Sequence, residues 1–387
     1  MTLKRNSKLF LVLFLGTLSA FGPFVTDLYL PALPTMSSYF NSSTSTIQLT
    51  LTGSMVGLAL GQLLIGPISD KYGRKNPLII SLIVYLISTI AIILFPNVYA
   101  MIVLRFIQGV SSAGAVVISR AISTDLYRGR ELAAFFALLM AVNGLAPILS
   151  PILGSVLLEL TDWRGIFITL ALIGVILLAV SFKFNESLAI EKRLDLPITK
   201  TYYSIVHVMK NRLFFALVIV QGFALAAMFS YIAASPFILQ THYSLSPLMY
   251  SLCFGLNGFA IVLGSKSAGN FKEKVSIKLG LSLMLLVSIY LAVALTLTLP
   301  FLFIEVGFFL LLLGLGFILP AGSAIAMSLE RERAGSASAF FGFVPFFLGG
   351  VVSPLVGIGN IFHSSAIAIV ICSVISFVTF KLVEKKI

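Results

Sequence analysis

Charge is scarce in this 387-residue chain. Asp, Glu, Lys and Arg together make up 10% of it, and the 14 acids are outnumbered by 26 bases. Soluble domains carry about 25% charged residues, so a water-facing globule would lack the polar surface to cover a chain that is 59% apolar. A soluble enzyme or binding module is excluded. Mean hydropathy of +1.07 excludes disorder as well. The two cysteines, Cys253 and Cys372, both lie inside long apolar stretches, which excludes a disulfide framework. His207, His242 and His363 are scattered without metal-ligand spacing. No Walker loop or nucleophile elbow occurs. No metal, cofactor or ATP site is expected, and what remains is an all-α integral membrane protein.

What the chain has in abundance is apolar runs of spanning length, about 20 residues each. They fall at 9–33, 47–66, 77–95, 98–121, 132–158, 165–183, 213–240, 247–265, 277–299, 301–326, 335–357 and 364–382. Lys4 and Arg5 before the first run resemble the start of a signal peptide, but the run continues past Ala20, so it is expected to stay as span one. The net charge of +12 does not point to nucleic acid, because the cations sit in short loops beside spans. Basic loops such as Lys71–Lys75, Arg128–Arg130, Lys192–Arg212 and Lys266–Lys278 alternate with 34–46, 96–98, 159–164, 241–246 and 357–363, which are almost free of them. The positive-inside rule puts the basic loops and both termini in the cytoplasm.

The longest polar interruption, 185–212, separates two sets of six spans. The expected organisation is therefore an N-terminal bundle 1–184, a cytoplasmic linker 185–212 and a C-terminal bundle 213–387. Gly61 and Gly264 are 203 residues apart, as are Gly66 and Gly269, Asp70 and Glu273, Lys71 and Lys274, and Lys75 and Lys278. The same offset carries LYRGR at 126–130 onto LERER at 329–333, and SPILG at 150–154 onto SPLVG at 353–357. Three separate loci with one offset indicate duplicated, pseudo-symmetric six-helix bundles in parallel orientation.

The most specific motif is GPISDKYGRK, residues 66–75, between spans two and three. Gly66 and Gly73 permit a tight turn. Asp70 is placed to pair with Arg74 and to lie near a helix N-terminus of the other half, latching the cytoplasmic side. At Gly66, Asp70, Lys71, Gly73, Arg74 and Lys75 the run resembles the loop signature of the major facilitator superfamily. Its second copy keeps the acid as Glu273 but has Ser276 and Ile277 in place of Gly73 and Arg74, so a weaker latch is expected. Gly53, Gly57 and Gly61 give span two a smooth face, which the family's fold would set against span eleven. FVTDLYLPALPTM at 24–36, with RFIQG, APILSPILG, FSYIAASPFIL and AGSASAFFGF, is similar to the bicyclomycin/chloramphenicol-resistance branch (Bcr/CflA type) of that superfamily. The fifth-span antiporter signature is softened to Ser150, Pro151, Ile152, Leu153, Gly154 and Ser155. Some members of that branch carry a further acid in span one where this chain has Ser19.

Inside the spans the charged residues are Asp27, Arg105 and Glu305. Each is costly there, about 2.5–3.5 kcal/mol for an Asp or Arg at a span centre, and so points to function. Asp27 and Arg105 come out about 10 Å inside the same membrane face, and the family's fold lines its cavity with spans one and four, which would face them towards each other. In an apolar cavity desolvation favours a neutral carboxyl and a nearby cation favours a charged one. Asp27 is thus the expected proton carrier and Arg105 its tuner; the alternatives are a helix cap or a static ion pair. Glu305, the third candidate for proton coupling, stands about a turn inside span ten, where it either faces the cavity or reaches the headgroups. Tyr29, Gln108, Asn143, Gln221, Tyr231 and Asn257 are candidate substrate contacts, with interhelical hydrogen bonding as the alternative.

The resemblance implies a monomeric secondary transporter in the bacterial inner membrane. It would export small, rather apolar drug-like compounds in exchange for protons. Its partners would be that substrate, protons and the bilayer. Efflux of a metabolite by the same fold is the alternative; a polytopic subunit of a membrane enzyme is the other, against which the repeat argues.

Overall fold

The computed structural model describes residues 7–193, 198–330 and 333–386, so Lys4, Arg5, Asp195 and Arg331 lie outside the described residues. Among the described residues every regular element is helical. The elements are α1 (Lys8–Asp27), α2 (Leu33–Tyr39), α3 (Thr44–Tyr72), α4 (Lys75–Leu94), α5 (Val98–Leu126), α6 (Gly129–Leu160), α7 (Trp163–Lys183), α8 (Ile198–Met209), α9 (Arg212–Pro236), α10 (Pro247–Ala268), α11 (Glu273–Thr296), α12 (Phe301–Leu329), α13 (Ala334–Val356) and α14 (Ile361–Val383). Twelve segments are long and apolar enough to cross a membrane, with α1 and α2 counting as one. Helix α8 lies in the expected linker, which is therefore not simply loop.

Two spans are longer than expected, and the excess matters. Helices α3 and α5 have 29 residues each against the 47–66 and 98–121 read from hydropathy. At 1.5 Å per residue each reaches about 43 Å, past a hydrocarbon core of about 30 Å. Their last turns therefore carry Asp70 and Asp125 beyond the apolar zone.

Span one is broken rather than continuous. Helix α1 starts on a Ser7 cap and ends at Asp27; a 3-10 turn at Leu30–Ala32 precedes α2. Pro31 and Pro34 fit the break, since each lacks the N–H a continuing helix would need. Helix α9 is interrupted likewise, running from Pro236 into a π turn at Phe237–His242. That turn lies about 203 residues after α2, so the repeat preserves the irregularity as well as the spans.

By contacts the chain falls into two units, Met1–Leu30 with Gly53–Thr201 and Pro31–Thr52 with Tyr202–Ile387. This differs from the contiguous division 1–184 and 213–387 in placing residues 31–52 with the second unit. A polar seam accounts for it. Thr52 Oγ1 donates to the Gly350 carbonyl at 2.9 Å, Gln48 Nε2 to Ala233 at 2.9 Å, Ser45 Oγ to Pro354 at 2.9 Å and Gln240 Nε2 to Pro31 at 3.2 Å. Two of these acceptors are freed by local helix chemistry. The Gly350 carbonyl would normally receive the N–H of residue 354, which is a proline without one. The Ala233 carbonyl loses the Phe237 N–H, which turns to Ala234.

The glycine stripe of span two faces α5, where span eleven was expected. A Cβ on Gly53 would stand 2.7 Å from the Ile102 carbonyl oxygen, and those on Gly57 and Gly61 would strike the carbonyls of Phe106 and Val110. The stripe packs on α5 within its own unit, because both backbones repeat every four residues along the contact. The second unit reproduces this. A Cβ on Gly264 would meet the Leu313 carbonyl and Gly316, which lie 203 residues after the Val110 and Ala113 that face Gly61.

Candidate functional site

The end of α1 organises the first candidate site. Ending a helix leaves its last carbonyls without intrahelical partners, and Arg105 from α5 answers one of them. Its Nη2 donates to the Val25 carbonyl at 3.0 Å and its Nη1 to Gln108 Oε1 at 2.5 Å, while Gln108 Nε2 donates to Thr89 at 2.7 Å. The guanidinium lies 4.1 Å from the Tyr29 ring centroid and 5.7 Å from that of Phe167. Arg105, Gln108 and Tyr29 are all fully buried. A cation at a helix C-terminus complements the dipole, so Arg105 works as the cap of the break.

Asp27 is the last residue of α1 and is buried. Neither alternative for it fits: it caps no helix N-terminus, and no salt bridge joins it to Arg105 among the described residues. Burial and the helix C-terminus oppose a negative charge there, while Arg105 attracts one. The softened signature in α6 packs on the same break, for Gly154 lies directly against the Leu28 carbonyl. Asn143 of α6 donates to Ser19 and to the Leu139 carbonyl.

In the second unit Asn257 Nδ2 donates to Glu305 Oε1 at 2.9 Å and to the Tyr231 hydroxyl at 3.0 Å. Glu305 is only 5% exposed, so it does not reach for the headgroups. Gln221 is buried with Oε1 unpaired. The six expected substrate contacts therefore divide. Tyr29 and Gln108 hold Arg105, Tyr231 and Asn257 hold Glu305, Asn143 bridges α6 to α1, and Gln221 stands apart.

The motif loop is a network of its own. Gly73 has φ +88, a conformation glycine adopts freely, and a Cβ there would stand 2.5 Å from Glu186 Oε2. Glu186 accepts from the backbone N–H groups of Arg74 and Lys75 at 3.0 and 3.1 Å, an anion on the N-terminus of α4. Arg74, 5% exposed, binds Asp70 at 2.5 Å and Asp125 at 2.9 Å. Burial opposes the Arg74 charge, but Asp125 and Asp70 outweigh it and hold the guanidinium above its ordinary pKa. Lys71 lies 5.8 Å from the Tyr72 ring, and Lys75 Nζ donates to the Phe182 carbonyl.

Asp125, Glu186 and Ser187, which donates to Asp125, were not singled out from sequence. Their signal was weak: acids beside a basic loop, far from the motif in the chain. The second copy departs from the first. Glu273 opens α11 as its first residue, a favourable place for an acid, whereas Asp70 closes α3. Ile277, fully buried, stands where Arg74 would be. Yet Lys278, the counterpart of Lys75, lies 3.5 Å from Glu384. Both lysines thus tie the start of their helix to the end of a sixth span.

Asp125→Asn is expected to lower stability by about 2–3 kcal/mol, the worth of a charged hydrogen bond lost in a buried setting. Asp70→Asn, whose own side chain is 50% exposed, is expected to cost less than half as much. Thermal unfolding in detergent ranks the two, and the reverse order would contradict the geometry.

The profile of the Major Facilitator Superfamily matches residues 9–354. The chain belongs to that superfamily. It is similar to the uncharacterized MFS-type transporter YdgK of Bacillus subtilis, 36% identical over 362 residues that span 92% of this chain and 90% of YdgK. It is also similar to the bicyclomycin resistance protein homolog of Haemophilus influenzae, 27% identical over 70% of this chain and 69% of that one. Among solved structures it resembles a bacterial homolog of the human lysosomal transporter Spinster, in an inward-facing, occupied conformation. The TM-score is 0.77 at 13% identity, covering 98% of both chains, a likeness of fold alone. This facilitator is a multi-pass secondary transporter of small molecules, not an enzyme.

Proposed function

We propose that this facilitator exports small, rather apolar drug-like compounds in exchange for protons by alternating access, in the bacterial inner membrane with both termini cytoplasmic. Asp27 carries the proposal. It is a buried carboxyl at a helix break, influenced by Arg105 but not locked to it by a salt bridge, and a carboxyl so held is free to change protonation as its surroundings open to either side. The H. influenzae relative, named for bicyclomycin resistance, and the Asp27-Leu28-Tyr29 segment support the cargo class. A proton entering down 100 mV releases about 2.3 kcal/mol, enough for a substrate gradient of about fiftyfold. The network around Asp70, Arg74 and Asp125 and the Lys278–Glu384 pair would brace the cytoplasmic ends, and the seam from Ser45 to Thr52 the outer ones.

Proton release from the purified protein on adding chloramphenicol-type drugs at near-neutral pH tests this. The wild type is expected to release protons and Asp27→Asn to release none. Equal release from both removes Asp27 as the carrier. Silence from every drug in a folded, stable protein moves the cargo to a metabolite.

A further inference from the structure

The second unit carries a cavity of about 390 Å³ that the transport reading leaves unused. It lies among the basic loops, at the end of the bundle that the positive-inside rule assigns to the cytoplasm. Helix α11 packs on α12 and α14, and α9 packs on the same two, so four helix ends meet around it. Lys272, Glu273 and Lys274 line it from the start of α11, and Lys386 from the turn that follows α14. Leu213 of α9 and Leu329 of α12 give it an apolar side. Three lysines against one glutamate make the lining net positive.

Among the described residues no carboxylate lies within 4 Å of any of these three lysines. Two acids beside them in the chain are engaged elsewhere. Glu384 holds Lys381 at 2.8 Å and Lys278 at 3.5 Å, while Glu330 accepts from Asn211 at 2.7 Å and lies 3.9 Å from Arg333. The duplication shows how the same place is balanced in the first unit. There the counterparts of Glu273 and Ser328 are Asp70 and Asp125, which hold the Arg74 guanidinium between them. In the second unit a serine replaces one of those acids, the buried Ile277 replaces the arginine, and Lys272 replaces Ser69. The first copy neutralises its acids with a cation of the chain. The second has lost that cation and gained a lysine, so the charge left over has changed sign, and like charges gathered around one cavity favour a counter-ion from outside.

We propose that this cavity binds a phosphate group, carried by an anionic phospholipid head group or by a small soluble phosphate. Lys272, Lys274 and Lys386 meet the phosphate oxygens as point charges, and Leu213 and Leu329 lie beside the carbons of an ester. A basic pocket between helix ends at the cytoplasmic face, with an apolar side, suits a lipid head group and the start of its chains. Glu273 opposes the anion and keeps its binding reversible. A bound phosphate ties the start of α11 to the end of α14, which Lys278 and Glu384 already join. The proposal rests on the chain spanning a bilayer, and not on the cargo or on Asp27.

The test is thermal unfolding of the full-length protein in detergent micelles, with choline chloride holding ionic strength. The probes are dioleoylphosphatidylglycerol, dioleoylphosphatidylcholine, glycerol 3-phosphate and inorganic phosphate. The proteins are wild type, Glu273→Gln, a site variant with Lys272, Lys274 and Lys386 all changed to glutamine, and a control with Lys8, Arg128 and Lys183 changed likewise. The control loses the same charge at exposed positions of the first unit. A bound ligand raises the unfolding midpoint by mass action. Wild type and control are expected to rise with phosphatidylglycerol or a soluble phosphate, and not with phosphatidylcholine, whose choline cancels its phosphate. The site variant is expected to need about tenfold more of the same probe, and Glu273→Gln about twofold less. A response to phosphatidylglycerol alone identifies the lipid head group as the source, and a response that glycerol 3-phosphate or inorganic phosphate matches identifies a soluble one. Site and control variants that respond alike, phosphatidylcholine that acts as well as phosphatidylglycerol, or a wild type that answers to no anion overturns the proposal. None of these results alters drug-coupled proton release at Asp27, so the two proposals fail separately.

Discussion

Gly154→Ala is expected to destabilise the protein by about 3 kcal/mol, and Gly144→Ala in the same helix is expected to leave it unchanged or more stable. A Cβ on Gly154 would fall on the Leu28 carbonyl oxygen, and that obstacle is backbone, which cannot rotate away. Overpacking costs about 1–3 kcal/mol where side chains give way, and the upper end applies here. Nothing lies within 4 Å of a Cβ on Gly144, so alanine there keeps only its better helix propensity, worth up to about 1 kcal/mol. Unfolding midpoints in detergent compare the two, and equal effects would refute the close approach. Because Leu28 follows Asp27, the Gly154 variant should also lose drug-coupled proton release where Gly144→Ala retains it.

Arg105→Ala is expected to cost about 3–5 kcal/mol and to abolish coupled transport. The substitution strands the Val25 carbonyl and Gln108 Oε1 in a buried site, about 1–3 kcal/mol each, and removes the cation stacked on Tyr29. Arg105→Lys separates cap from charge. A lysine keeps the positive charge near Asp27 but has no planar fork to reach Val25 and Gln108 while lying on a ring. It is expected to recover less than half of the lost stability. Full recovery of stability and transport by lysine would reduce Arg105 to a point charge.

The features legible in the sequence are those written as composition or arithmetic. Apolar runs announce twelve spans, and a single offset announces the repeat, down to the matched contacts of Gly61 and Gly264. The motif loop was legible because its residues are contiguous. The partners of that loop were not, because Asp125 and Glu186 reach Arg74 from 51 and 112 residues away. The glycine stripe shows the same limit from another side. Its spacing announces a close helix neighbour but is silent on which helix, and α5 rather than span eleven fills it. Glu305 stands one turn inside a span, where hydropathy alone allows both fates; in the structure its carboxyl is buried against the Asn257 amide. The span-one break was signalled by Pro31 and Pro34, yet its consequence, an arginine set to cap it, depends on a helix some eighty residues on.

The seam from Pro31 to Thr52 also sets an energy scale. It is built of neutral hydrogen bonds, each worth about 1 kcal/mol net because water competes for the same groups. Its four bonds sum to about 4 kcal/mol, a population ratio of about a thousand. Parting these four bonds, apart from any packing lost with them, would therefore lower a population by a factor of about a thousand. A ligand would have to bind the parted arrangement about a thousandfold more tightly to offset that factor. Salt bridges at the same places would have tied the fastening to ionic strength. Hydroxyl and amide donors keep it indifferent to salt.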